Sequence, residues 1–195
     1  MNKEENLSNN IFFETIKCED YDVFNLDYHN KRVANAIAMN LNLQEYIYPL
    51  NNKLLRCKVI YDDSGILEVN YFPYKKREIN SFKLVYCDDI DYSKKYLNRD
   101  SIDKLFLQKD SCDEIIIVKN SIITDTSIAN IAIFYDGFWI TSKTPLLKGT
   151  TRARLLEEKF LIEKDISVDM LKNAEKIALM NAMIDFDIKK DFIVK

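Results

Sequence analysis

The chain is short of the residues that punctuate loops: its 195 residues include only three glycines and three prolines. No flexible linker, low-complexity tract or internal repeat can be built from so few, so domain limits have to be read from changes of pattern. It has no long apolar run; nothing approaches the roughly 18 apolar residues of a membrane helix. Its opening stretch, MNKEENLSNN, is polar where a secretory leader needs a basic and then an apolar region. No membrane partner is expected, and the cytoplasm is the expected location. A basic block is missing too. With 28 Lys+Arg against 31 Asp+Glu and a net charge of −3, the chain has no electrostatic footprint for duplex nucleic acid. The four cysteines, Cys18, Cys57, Cys87 and Cys112, lie far apart and form no CxxC or CxH pair, so they read as reduced thiols and no metal site is expected.

What is present is 47% hydrophobic and 30% charged residues, enough for one sizeable core or two small ones. IFFETIKC, residues 11–18, reads as a strand. Asp27 is a candidate N-cap for a helix in which His29, Arg32, Val33, Ala36, Ile37 and Met39 recur at three-and-four spacing to about Asn40. A short helix over 43–48 stops at Pro49. LLRCKVIY (54–61) and ILEVNYF (66–72) flank DDSG, a hairpin signal because Gly65 can take positive φ. The pattern changes near residue 78. A strand follows at 82–86, a helix at 101–108, and strands at 114–119, 122–124, 130–135 and 139–141, with turns at Lys119-Asn120-Ser121 and Asp136-Gly137. Helices are expected after Gly149 to about Phe160 and from about Ser167 to Met180. The result is an α+β reading with two domains, residues 1–77 and 78–195.

Several groups of residues could carry chemistry. Gly149-Thr150-Thr151-Arg152 precedes a helical segment, where free backbone N–H groups, a hydroxyl and the helix dipole suit a phosphate; it reads equally as an ordinary N-cap. Arg32 could clamp a phosphate or be a solvated helix arginine. His29, the only histidine, is a candidate general base or a structural helix-start residue. Lys94-Lys95-Tyr96 stands near a helix start among tyrosines; a lysine partly dried there becomes a competent nucleophile, whereas a surface lysine does not. Asp125 and Asn130 are polar residues among strands and need partners or a ligand, or are explained by turn chemistry.

Taken in order, FFETIK, LDYHNKR (26–32), KYLNR (95–99), ITDTSIANI (123–131), TPLLKGTTR (144–152) and LMNAM (179–183) form a series. The series resembles the class IV, or fold-type IV, pyridoxal-phosphate enzymes: branched-chain and D-amino-acid aminotransferases and aminodeoxychorismate lyase. The resemblance implies a small N-terminal α/β domain and a larger strand-rich C-terminal domain carrying the Schiff-base lysine. It also implies pyridoxal 5'-phosphate as cofactor, a small-molecule amine substrate and a homodimer. Lys95 then corresponds to the catalytic lysine, with Lys94 as the alternative. Arg32, Gly149, Thr150 and Thr151 correspond to the phosphate holders, and Asp125 to the acid facing the pyridine nitrogen, with Asn130 beside it. Thr15, Asn181 and Ala182 fall on the substrate side.

Two departures accompany the resemblance. Asp125 is one methylene shorter than the family's usual glutamate, which bears on how strongly the ring can act as an electron sink. Family members also open with an additional strand and hairpin, whereas only MNKEENLSNN precedes Ile11, so a trimmed small domain is expected. Three functions follow. KYLNR and LMNAM resemble the lyase versions of their motifs, implying conversion of 4-amino-4-deoxychorismate to 4-aminobenzoate and pyruvate in folate biosynthesis. An amino-acid aminotransferase would need a keto acid to complete its cycle. A non-catalytic relative acting as a binding module would stay colourless with pyridoxal phosphate.

Overall fold

The computed structural model describes residues 11–37 and 39–195; the expectation for the opening residues lies outside these. The chain forms two compact units. One comprises Met1–Lys76 and Lys94–Arg99, the other Arg77–Ser93 and Asp100–Lys195. The segment with Lys95 therefore belongs to the first unit, against the expectation that the C-terminal domain carries it. The backbone accounts for this: Phe13 N donates to Lys95 O at 3.0 Å, and Leu97 N donates to Ile11 O at 2.9 Å. Among the described residues, no helix is long and apolar enough to cross a membrane.

The first unit is an antiparallel sheet in the order β2-β1-β3-β4, with β1 at Phe12–Glu19, β2 at Asp22–Val23, β3 at Leu55–Asp62 and β4 at Gly65–Pro73. Gly65 opens β4 with φ +129°, the conformation expected of it. The two-residue period of β1 sends Phe12, Ile16 and Cys18 inward, where they join Val33, Leu43, Leu55, Cys57, Val59 and Tyr61 in one core. Helix α1, Leu26–Ala36, covers that core. Its N-cap is Asn25, at φ 55°, rather than Asp27, which lies in the first turn where a carboxylate favours the helix dipole. The helix ends earlier than its periodicity suggests, because Ile37 is extended. The short helix expected over 43–48 is a single 3-10 turn, Leu43–Glu45.

The second unit is a nine-stranded sheet. β13 (Ile193–Val194) and β6 (Glu114–Lys119) run parallel to β5 (Ser81–Tyr86). β7 (Ile122–Thr126), β8 (Asn130–Tyr135) and β9 (Phe138–Ser142) continue antiparallel, and β10 (Ile162–Lys164) closes that edge parallel to β9. Helix α2 is Asp100–Phe106. The turns after β6 and β8 place Asn120, Ser121, Asp136 and Gly137 at positive φ, as tight hairpins require.

One sequence expectation fails clearly. The helix predicted from Ser167 to Met180 is a short helix, α4 (Val168–Lys172), followed by strand β11 (Lys176–Asn181). Ser167 caps α4 by accepting from Met170 N at 3.1 Å. Ile177, Ala178, Leu179 and Met180 are all buried, and a helix cannot bury four consecutive side chains on one face, whereas a central strand buries both faces. β11 pairs with β8 and with β12 (Asp185–Lys189). The pleat then sorts the residues. Ile131, Ile133, Ile177 and Leu179 face one core, while Ala132, Ala178 and Met180 face Leu155 of helix α3 (Thr150–Glu157). Small residues let α3 approach the sheet closely.

Ile133→Ala, at a fully buried position, should lower unfolding stability by about 2–5 kcal/mol. Leu107→Ala, at a residue 81% exposed, should change it by less than about 0.5 kcal/mol. Urea titration of both variants checks this.

Candidate active site

In the first unit the site grows from a misfit in β1. Glu14 lies on the same inward face as Phe12 and Ile16 and is fully buried. A carboxylate there must be paired or it unfolds the sheet. Its partners come from α1, which buries His29 and Val33 one turn apart and carries Arg32 between them. Arg32 donates side-on, Nε to Glu14 Oε1 at 2.9 Å and Nη2 to Oε2. His29 Nδ1 lies 2.6 Å from the same Oε2. Burial alone would raise the Glu14 carboxyl, but Arg32 and His29 outweigh it and hold it down at about 2. Burial lowers the His29 pKa despite Glu14, so the imidazole is neutral, with Nδ1–H donating to the carboxylate. His29 Nε2 is buried with no hydrogen-bond partner among the described residues.

The two candidate lysines part company here. Lys94 Nζ donates to Ala36 O at 2.9 Å, the end of α1. Lys95 Nζ lies 4.6 Å over the Phe13 ring. Burial, followed by the Arg32 charge, pushes Lys95 down to about 7, with Glu14 opposing and Arg99 assisting. A large share of this amine is unprotonated at neutral pH. Thr15 is half-buried on the Phe13 face of β1, opposite Lys58 of β3.

The second unit holds the other group of candidates. Asp125 and Asn130 are directly paired in the β7–β8 ladder. Asn130 Nδ2 donates to Asp125 Oδ1 at 2.7 Å and to Leu147 O at 2.8 Å, and Leu147 N donates to Asp125 Oδ2 at 2.9 Å. Burial pushes the Asp125 carboxyl up to about 6 in spite of these bonds. Gly149, the N-cap of α3, has no room for a side chain: a Cβ there would sit 2.1 Å from Asn130 Oδ1. The first intrahelical bond is Ala153 N to Gly149 O at 2.9 Å, which leaves the amides of Thr150, Thr151 and Arg152 to other acceptors. Thr151 Oγ1 is buried with no hydrogen-bond partner among the described residues. Open amides, an orphaned hydroxyl and the positive end of α3 form a receptor for an anion such as a phosphate. Arg152 is buried but committed to Ser142 O and Glu163.

Asn181 is used locally. Its Oδ1 accepts from Met183 N and Ile184 N, and its Nδ2 donates to Ile128 O, so it shapes the 181–184 turn that contains Ala182. The structure thus joins Arg32 with Lys95 in one unit, and Asp125, Asn130, Gly149, Thr150 and Thr151 in the other. Glu14 was missed as a site residue although it stands in the FFETIK motif. The signal was an acid at an inward position of an otherwise apolar strand face.

The first unit thus carries an amine of depressed pKa and the second a helix-end receptor suited to an anion, and comparison with known proteins supplies the family. The amino-transferase class IV family profile matches residues 95–186. An uncharacterised protein of Haemophilus influenzae is 36% identical over 182 residues, 88% of this chain and 96% of that protein. A crystal structure from Haemophilus somnus, provisionally named a 4-amino-4-deoxychorismate lyase, is 34% identical with TM-score 0.82, over 89% of this chain and 96% of that one. A hypothetical aminotransferase of Mycobacterium tuberculosis in its PLP-bound form shares the fold at TM-score 0.73 and 15% identity, over 94% of this chain and 81% of that one. The chain belongs to the class IV aminotransferase family.

The Glu14 cluster makes acid stability testable. A carboxyl lowered from 4.5 to about 2 on folding contributes stability that is fully present above pH 4.5 and is lost as pH falls through 2, about 3 kcal/mol in all. Denaturant melts between pH 5 and pH 2 should show wild type losing that margin relative to Glu14→Gln, whose stability lacks this dependence.

Proposed function

We infer that the chain is a pyridoxal 5'-phosphate-dependent lyase that converts 4-amino-4-deoxychorismate to 4-aminobenzoate and pyruvate. The observation that carries the reading is the Lys95 amine, held near pKa 7 by burial and Arg32, in a chain 34% identical to a provisionally named 4-amino-4-deoxychorismate lyase. When bound, the cofactor supplies an aldehyde that condenses with amines and a ring that withdraws electrons from the carbon losing its proton.

This chain's residues do the rest. Lys95 Nζ, about half unprotonated at neutral pH, would hold the cofactor covalently and, once displaced from it by the substrate's own amine, would be free to take and return a proton at the substrate, a task suited to a pKa near the working pH. The Thr150 and Thr151 amides and the Thr151 hydroxyl would receive phosphate oxygens; Arg32, whose Nε and Nη2 are held by Glu14, is a phosphate holder by family resemblance alone. Asp125, oriented by Asn130 and Leu147 N, would answer the ring nitrogen. Thr15 and the 181–184 turn, with Ala182, belong to the substrate side of this proposal, and a homodimer is its assembly. An aminotransferase reaction draws on the same lysine and is favoured by the family's name.

Product analysis separates the two. Wild type incubated with pyridoxal phosphate and reduced with borohydride should retain the cofactor covalently, and Lys95→Ala should not. Wild type should release pyruvate from 4-amino-4-deoxychorismate without any keto acid, and Lys95→Ala should be slower by at least about 100-fold. A requirement for keto acid identifies the aminotransferase instead, and absence of covalent retention overturns both enzymatic readings.

A further inference from the structure

The outward face of the first sheet, opposite to the one that holds Glu14, carries a cation the reaction described above does not use. Two lysine amines lie over the single ring of Phe13: Lys95 Nζ at 4.6 Å and Lys58 Nζ at 5.4 Å from its centre. Both distances run to the same point, so the two nitrogens are at most 10.0 Å apart. Strand register fixes Lys58 there. It stands directly opposite Thr15 of β1 and Asn70 of β4, which share its face, while Phe13 is opposite Ile60. Neither cross-strand neighbour of Lys58 is charged. The carboxylate of this face on β4, Glu68, is exposed and lies opposite Ile60 instead. The other cations of β1 and β3 on this face are engaged, Lys17 with Glu19 at 2.6 Å and Arg56 over Phe72 at 5.0 Å. Among the described residues the half-buried Lys58 has no ion pair, and the Thr15 hydroxyl has no hydrogen bond.

We propose that Lys58, with the Thr15 hydroxyl opposite it, receives a carboxylate of the substrate, so that this site takes a carboxylate-bearing amine with its nitrogen at Lys95 and its anionic end at Lys58. The proposal rests on the reading of Lys95 as the amine that the substrate displaces. Under that reading the cofactor phosphate has its own receptor at the start of α3, and the unpaired ammonium beside Lys95 is left for the other anion of the reaction. An ammonium and a hydroxyl offer one donor to each carboxylate oxygen. The Phe13 ring gives the body of the ligand an apolar floor between the two polar ends. The separation admits an amine and a carboxylate on opposite sides of one six-membered ring, as in 4-aminobenzoate, with a hydrogen bond of about 3 Å at the far end.

The test uses the full chain loaded with pyridoxal phosphate and follows binding of 4-aminobenzoate by calorimetry, with its methyl ester, which carries no charge, as the control. Lys58→Met keeps most of the apolar stem and removes the ammonium. It should weaken 4-aminobenzoate by about 10- to 100-fold and leave the ester unchanged, and Lys58→Arg should restore most of the loss. A role limited to covering Phe13 predicts equal losses for acid and ester, or none, and either result overturns the proposal. Cofactor retention after borohydride should match wild type in Lys58→Met; its loss makes Lys58 a holder of the cofactor and overturns the proposal as well. Should wild type not bind 4-aminobenzoate, the same comparison is made with 4-methyl-2-oxopentanoate and its methyl ester, and the same factor is expected. Binding of neither acid by wild type overturns the proposal. Failure of the lyase reading is seen separately, as absence of pyruvate release from a wild type whose carboxylate binding still depends on Lys58.

Discussion

The first unit is organised by a carboxylate in the wrong place. Glu14 sits on the inward face of β1, where its neighbours two residues away on either side are Phe12 and Ile16. Leaving that charge unpaired in an apolar core costs several kcal/mol. The helix above it must therefore present a cation at one angular position, and α1 does so with Arg32 while filling the rest of the contact with His29 and Val33. The helix start at Asn25, whose carbonyl takes the Tyr28 and His29 amides at 3.1 and 3.2 Å, brings His29 and Arg32 to face the carboxylate.

The second unit handles its polar groups differently. Asp125 is satisfied by the Asn130 amide and the Leu147 backbone, and among the described residues burial outweighs these partners and raises its carboxyl to about 6. Arg152, the nearby guanidinium, is held by Ser142 and Glu163. The start of α3 accordingly offers an anion backbone amides, a helix dipole and the Thr151 hydroxyl rather than a free charge. Asn130 connects the two features, since the oxygen of the amide that binds Asp125 also occupies the space beside Gly149.

Much of this could be read from residue order. Hairpins at Gly65 and Gly137, the buried strand at Glu114–Lys119, α1 and the cap at Gly149 follow from turn chemistry and periodicity. Six spaced motifs also indicated the family. The reading failed at β11, where IALM resembles a helix as closely as a strand, and the choice was made by β8 and β12 offering ladder hydrogen bonds on both sides. Lys95, placed in the C-terminal domain by the family resemblance, is instead hydrogen-bonded through its backbone to β1 and lies in the first unit. Asn181, on the substrate side by the resemblance, uses its side chain to shape the 181–184 turn.

Local chemistry is written into short stretches: which residues can turn, cap or alternate depends on neighbours within a few positions, and those neighbours are visible in the chain. The charge state of Lys95, the coordination of Glu14 and the strand identity of residues 176–181 depend on groups tens of residues away. Burial and pairing fix these properties, and neither exists until the sheets have formed.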